Sequence, residues 1–311
     1  MVRNDGVNWL AAGFVVGQTI TISNAPGANG TYTIFSLSGT TLTDSAATWA
    51  DNQFNGASGQ FYLEIISVGG SATASGVGAT FAITATAATA KTITLASAPG
   101  LASPVGYRIR KSWTLADVFG ATNSAGLQSG SATSADQVLV WSSSGFETFY
   151  YQTTGIGGTG WRKASARSAD ASATILPPTA ALIVKRGASA AVSLISNGSM
   201  KTGQTAATVA TGFTYIGNPY DVPMTLASSG IYAAGLAGGA AASADQVLVW
   251  NGTTFDAYFY QTSGGTGTGW RKTTDLATDA SAIAIAANSG FVVKRTGAAF
   301  TWAIPQHPSA L

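Results

Sequence analysis

Ser134-Ala-Asp-Gln-Val-Leu-Val-Trp141 occurs a second time, unchanged, as Ser243-Ala-Asp-Gln-Val-Leu-Val-Trp250, and this octapeptide sets the reading of the chain. Val-Leu-Val-Trp is β-branched and aromatic, which predicts a strand, and the polar residues before it predict the turn that feeds the strand. The same offset of 109 residues carries Tyr151-Gln-Thr onto Tyr260-Gln-Thr and Gly158-Thr-Gly-Trp-Arg-Lys163 onto Gly267 to Lys272. It also carries Asp170-Ala-Ser-Ala onto Asp279-Ala-Ser-Ala and Val184-Lys-Arg onto Val293-Lys-Arg. About half of the positions from 134 to 186 match their counterparts, which chance does not supply. Solenoid repeats run to roughly 20 to 50 residues, so each copy reads as a small domain, or as one half of a pseudo-symmetric domain, and not as one rung of an array.

Outward from this repeat the β signal continues. In the first copy Gln137 to Trp141, Phe146 to Gln152, Gly160-Trp-Arg-Lys and Ala181 to Arg186 are β-rich runs separated by Gly, Ser and Thr. Near the N-terminus, Gln18-Thr-Ile-Thr-Ile-Ser and Thr31-Tyr-Thr-Ile-Phe-Ser-Leu alternate with period two around an Asn/Pro/Gly cluster, a hairpin signature. Thr40-Thr-Leu-Thr, Phe61 to Ser67, Phe81 to Thr86 and Lys91 to Leu95 add strands at the spacing of sandwiches and barrels. One short helix is predicted at Thr114 to Gly120, with Thr as cap and Gly as terminator. The predicted fold is all-β, with tandem antiparallel sandwich or barrel-like domains of which two are homologous repeats. The expected division is a small β-module over 1–45, a β-rich connecting segment packing on the first repeat over 46–105, repeat domain 1 over 106–204 and repeat domain 2 over 205–311.

Composition narrows the function classes. With no Cys and one His, His307, the chain holds no thiol nucleophile, disulfide, Cys-based metal centre or multi-histidine site. Charged residues make up 9% against the usual quarter or so, so hydroxyls, amides and small side chains must cover the surface. Such a surface repels copies of itself weakly. A net charge of +2 without a basic cluster offers no footprint for nucleic acid, and no run of ~18 apolar residues predicts a membrane span. Met1 to Gly17 lack the three-part pattern of a secretion signal. An extracellular or cell-surface location therefore implies a signal that is absent or already removed.

Candidate chemistry is sparse. Asp136 with Asp245, and Asp170 with Asp279, repeat at strand ends; they read as a cation or polar-ligand pair, or as turn residues bonding the backbone, which Asp does routinely. No Asp-rich calcium loop accompanies them. The repeated aromatics Tyr150, Tyr151, Trp161, Tyr258, Tyr260 and Trp270 would bind sugar rings if exposed on a β-face, while Trp141 and Trp250 read as core. The loops Gly155 to Gly160 and Gly264 to Gly269 lie between strands, so they read as hairpin loops and not as phosphate-binding loops before a helix. Alternation puts Lys and Arg of Lys185-Arg186 and Lys294-Arg295 on opposite faces, so one of each pair needs a buried partner such as Asp or Asn. A buried Lys there would permit an intramolecular isopeptide cross-link.

These pieces, with Trp113 to Gly120, Phe61 to Ser67 and Gly212 to Pro219, resemble an uncharacterised family of secreted bacterial surface proteins that carry this unit in tandem, over about residues 46–306. Members of that family usually begin with a signal peptide, and the resemblance implies no catalytic residue. Asn8 to Ile22 with Asn29 to Ile34 also looks like a small β-module of bacterial surface and phage structural proteins. The expected function is a non-enzymatic extracellular structural protein, a self-assembling subunit of a surface filament or layer whose partners are copies of itself. Strand lending would use Trp9, Leu10, Phe14, Val15 and Val16 or Phe300, Trp302 and Ile304. A carbohydrate-binding adhesion module, with surface polysaccharide as partner, and a phage virion protein are the alternatives. No cofactor or metal is expected.

Overall fold

The computed structural model describes residues 19–22, 30–33, 36–38, 41–43, 59–72, 74–87, 92–97, 105–142, 145–187, 191–192, 194, 201–264 and 267–305. The described chain consists of short strands in several mainly antiparallel sheets, with two short helices. It divides into two compact units, one of residues 1–112, 202–206 and 303–311 and one of residues 113–201 and 207–302.

The first unit contains β1 (Thr19–Ile22), β2 (Gly30–Thr33), β3 (Ser36–Ser38), β4 (Thr41–Thr43), β5 (Phe61–Val68), β6 (Thr80–Ala87), β7 (Thr92–Leu95) and β8 (Val105–Lys111). β1 and β2 form the expected hairpin, with Thr19 opposite Thr33 and Ile22 opposite Gly30. β1 then joins β8 in parallel, so the sheet runs β2-β1-β8-β5-β6-β7. Strands from either side of residue 45 thus share one sheet. Leu63, Ile65, Ile83 and Ile109 are buried, and they fall on alternate residues of their strands as the pleat requires. Glu64 is also buried but pairs with Arg110 at 2.6 Å. Burial and the Glu64 charge push the Tyr62 phenol up to about 12.

Gly78 holds the strand-free segment before β6 against residues 204–206. It accepts a hydrogen bond from the Ala206 amide and has φ of +84°, and an added Cβ would meet the Gln204 carbonyl oxygen at 2.5 Å.

In the second unit β9 (Trp113–Thr114) leads into α1 (Leu115–Phe119), followed by β10 (Gln137–Ser142), β11 (Gly145–Gln152), β12 (Gly160–Lys163), β13 (Ile175–Leu176) and β14 (Leu182–Lys185). Thr114 and Asp117 cap α1 reciprocally, and Gly120 ends it at φ of +84°, as the sequence predicts. The four main strands order as β12-β11-β10-β14. After β15 (Thr205–Val209) come β16 (Gly212–Gly217), β17 (Met224–Thr225), α2 (Ile231–Ala234), β18 (Gln246–Trp250), β19 (Phe255–Gln261), β20 (Gly269–Lys272), β21 (Ala284–Ile285), β22 (Gly290–Arg295) and β23 (Phe300–Ile304). The sheet β16-β22-β18-β19-β20 repeats the earlier pairing order and adds β16 at its edge. Register repeats too, since Val138 faces Phe149 and Val247 faces Tyr258. Leu115, Phe119, Val138, Phe149 and Trp161 make one buried cluster.

β23 pairs with β15, and both Trp302 and Ile304 are fully buried. The Trp302 indole donates to the Ser229 carbonyl at 2.9 Å and packs edge-on to Phe291, while Phe300 lies under the Arg295 guanidinium. This corrects the expectation of an exchangeable arm at Phe300, Trp302 and Ile304: the segment is a core strand of its own chain, and lending it would open that core. Trp9, Leu10, Phe14, Val15 and Val16 lie outside the described residues.

Gly78→Ala introduces both a positive-φ penalty and a backbone clash, so it is expected to lower stability by more than about 1 kcal/mol in chemical denaturation. An unchanged unfolding midpoint would show that the 204–206 segment yields freely.

Candidate functional site

The repeated polar residues are consumed by the fold. Asp136 and Asp245 are 1% and 0% exposed at the entrances of β10 and β18. Asp136 accepts from the amides of Gln128 (2.8 Å) and Gly187 (2.9 Å) and from Arg186 Nε (2.9 Å). Asp245 accepts from the amides of Ala237 (2.8 Å) and Thr296 (2.9 Å) and from Arg295 Nη1 (2.6 Å). Each carboxylate therefore ties the preceding loop and the end of the Lys-Arg strand to the start of its own strand. Burial alone would raise the Asp136 carboxyl, but the amides and the guanidinium outweigh it and hold it below the ordinary value. The partner foreseen for the Lys-Arg strands is thus Asp, and the inward residue is Arg. Lys185 and Lys294 are exposed, which removes the basis of the isopeptide expectation.

Arg162 and Arg271 are likewise buried. Arg162 donates to the carbonyls of Gly157, Gly158 and Thr159 and to Trp161, with Asp170 at 3.4 Å. Gln152 adds bonds to the carbonyls of Ile156 and Gly158, and Gln261 to that of Gly267. The glycine loop is therefore a hairpin loop that turns acceptors inward onto a cation, the opposite polarity to an anion site. Asp170 and Asp279 close local turns onto the amides of Ser172 and Ser281. Among the described residues no group of three or more His, Asp or Glu could hold a metal ion.

The aromatics sit differently from their sequence reading. Tyr150, Tyr151, Trp161, Tyr258 and Trp270 are all buried, with the Trp161 indole donating to Gly120 O. As buried core residues they present no open platform for a sugar. Tyr260 is half-buried and stacks on Tyr232 at 3.5 Å between centroids. Trp141 is half-buried and Trp250 is 50% exposed, so the core assignment of these two is corrected. The cause is parity. Val138, Val140 and Val247 face the core, and Trp falls with Gln and Leu on the other face.

Trp250 borders a groove of about 400 Å³, one of several open features of the unit, lined by Ala181 to Val184, Tyr215, Val249, Trp250, Phe255, Phe291 and Val292 among others. Trp250 and Phe255 are cross-strand partners in T-shaped contact at 5.1 Å. Their counterparts Trp141 and Phe146 make the same contact at 4.9 Å, and there Tyr215 packs on both rings at 5.0 and 4.8 Å. Beside this cluster the Ala181 amide donates to Tyr215 O and the Gly217 amide to Thr179 O. Gly290 permits the approach, since a Cβ there would meet the Ala181 methyl at 2.6 Å. Burial raises the Tyr215 phenol above its ordinary value. Sequence reading missed Phe146, Tyr215 and Phe255; the matching offset of Phe146 and Phe255 was the available signal.

The chain matches no protein-family model, no curated protein and no solved structure among those compared. Among the described residues no helix is long and apolar enough to cross a membrane.

Asp136→Ala would remove the buried acceptor shared by Arg186 Nε and two amides, and is expected to cost about 3 kcal/mol or more in denaturant unfolding. Because the folded carboxyl titrates below its unfolded value of about 3.9, its contribution is complete above that value and disappears as pH falls through the folded one. Loss of stability below about pH 4 in the parent and a flatter profile in the variant are the expected pair of curves; parallel curves would remove Asp136 from this role. Gly290→Val is expected to pry Ala181 from β22 and expose Trp141, read as a red shift in tryptophan emission without loss of β-sheet circular dichroism.

Proposed function

We propose that this protein is a non-enzymatic structural protein of the cell exterior, built of tandem homologous β-domains of sandwich or barrel-like kind, that self-assembles as the subunit of a surface filament or layer. The observation that carries this reading is the use made of the repeated polar residues. Asp136, Arg162 and Arg186, with Asp245, Arg271 and Arg295, are spent on backbone and ion-pair contacts within the fold. A groove elsewhere on the same unit is lined by apolar and hydroxyl residues without a charged side chain. Apolar faces of this size on a weakly charged protein are docking surfaces by preference.

A second reading, an adhesion module for surface polysaccharide, has one observation in its favour. A recess of about 450 Å³ is bounded by Tyr232, Tyr260, Arg271, Asp279 and Ser281, a mixture of ring edges and hydrogen-bonding groups of the kind that sugars use.

Negative-stain electron microscopy of the purified chain across a concentration series separates the two readings. Regular filaments or sheets are the expected result. Monodisperse monomers throughout, combined with saturable binding to a glycan panel, would replace assembly by adhesion.

A further inference from the structure

The duplicated sequence contains its own control for what covers an exposed aromatic pair. Trp141–Phe146 and Trp250–Phe255 occupy equivalent positions at the ends of equivalent hairpins. The first pair is capped by Tyr215, and backbone bonds between Thr179 to Ala181 and β16 seal its flank. The second pair has no such cap among the described residues: Trp250 is 50% exposed and Phe255 37%. It lies on the groove whose opposite wall includes Leu182, Ile183 and the same Tyr215. The groove is therefore continuous with the contact that already joins the first copy to the second.

We infer that a second copy of this chain docks in this groove through the same face, so that Trp250 and Phe255 of each copy fill the groove of the other. This contact rests on the self-assembly reading and specifies one interface within it. Three observations select this occupant. At the 109-residue offset β16 falls on β8, which carries Gly106 where β16 carries Tyr215, so the first copy brings no equivalent ring to cap a neighbour. The groove lining carries no charged side chain, so two identical faces meet without the like-charge repulsion that opposes most self-pairing surfaces. Tyr215 and Ser289 are the hydroxyls of the lining, too few polar groups to orient a small ligand, whereas buried aromatic anchors are what interfaces concentrate.

The test uses the full chain and its W250S/F255S double variant, with L276S, which alters another exposed apolar residue outside the groove, as control. Sedimentation velocity over a concentration series is expected to show reversible association of the parent and of L276S, and self-association at least about tenfold weaker in the double variant. Circular dichroism of all three should coincide, because the replaced side chains are exposed. Since the chain has no cysteine, F255C supplies a single thiol, and because Phe255 lines the groove a two-fold contact there holds both copies of that thiol within one interface. Mild oxidation should then yield a disulfide-linked dimer of F255C faster than of L276C. Association of the double variant equal to the parent's would overturn the groove contact while leaving assembly standing. A parent monomeric at every concentration would overturn both, and weakened association without preferential F255C cross-linking would overturn the two-fold arrangement.

Discussion

A carboxylate buried at the mouth of a strand is the constraint on which each duplicated sheet depends. Asp136 and Asp245 are placed where three chain segments converge: the loop that leads in, the strand itself, and the far end of the strand beside it. Loops of Gly, Ala and Ser offer no side chains that could pack them down, so their amides must find acceptors elsewhere. One carboxylate meets two of these amides and one guanidinium. The ion pair adds little net stability over an apolar replacement, yet removing either half leaves a charge without its partner. That asymmetry explains why Asp and Arg stand together in both copies although they are fifty positions apart in sequence. Arg162 repeats the logic for the first glycine loop, where carbonyls and not amides need partners.

What was legible in the sequence follows from this division of labour. The strands were readable because alternation and β-branched runs encode them locally, and so was the helix at Leu115, whose Thr114 and Asp117 lie three residues apart. The role of the Lys-Arg strands was half readable: parity required one inward cation, but which of the two it is, and that its partner is Asp136, depends on pairing between β10 and β14. The joining of β1 to β8 was not readable, because a parallel ladder between distant segments leaves no local signature.

The aromatics show the opposite failure. Tryptophan invites a core assignment because of its size, and Trp161 and Trp302 obey it. Trp141 and Trp250 do not, although the alternation within their own octapeptide already set them with Gln137 and Gln246, against the buried valines. Period-two geometry outranks hydrophobicity in a strand, since a side chain cannot change face without moving the whole register.

The two copies differ in what covers their hairpins. Within the chain, the outer face of the first copy's hairpin is closed by Tyr215 of the second copy. The second copy keeps the same hairpin and the same two rings, the segment Phe300 to Ile304 folds back to pair with β15, and among the described residues no ring caps that face. Open aromatic surface is costly in water. Retaining Trp250 and Phe255 where a Ser or Thr would sit at no expense to the strand is consistent with a surface whose covering comes from outside the chain.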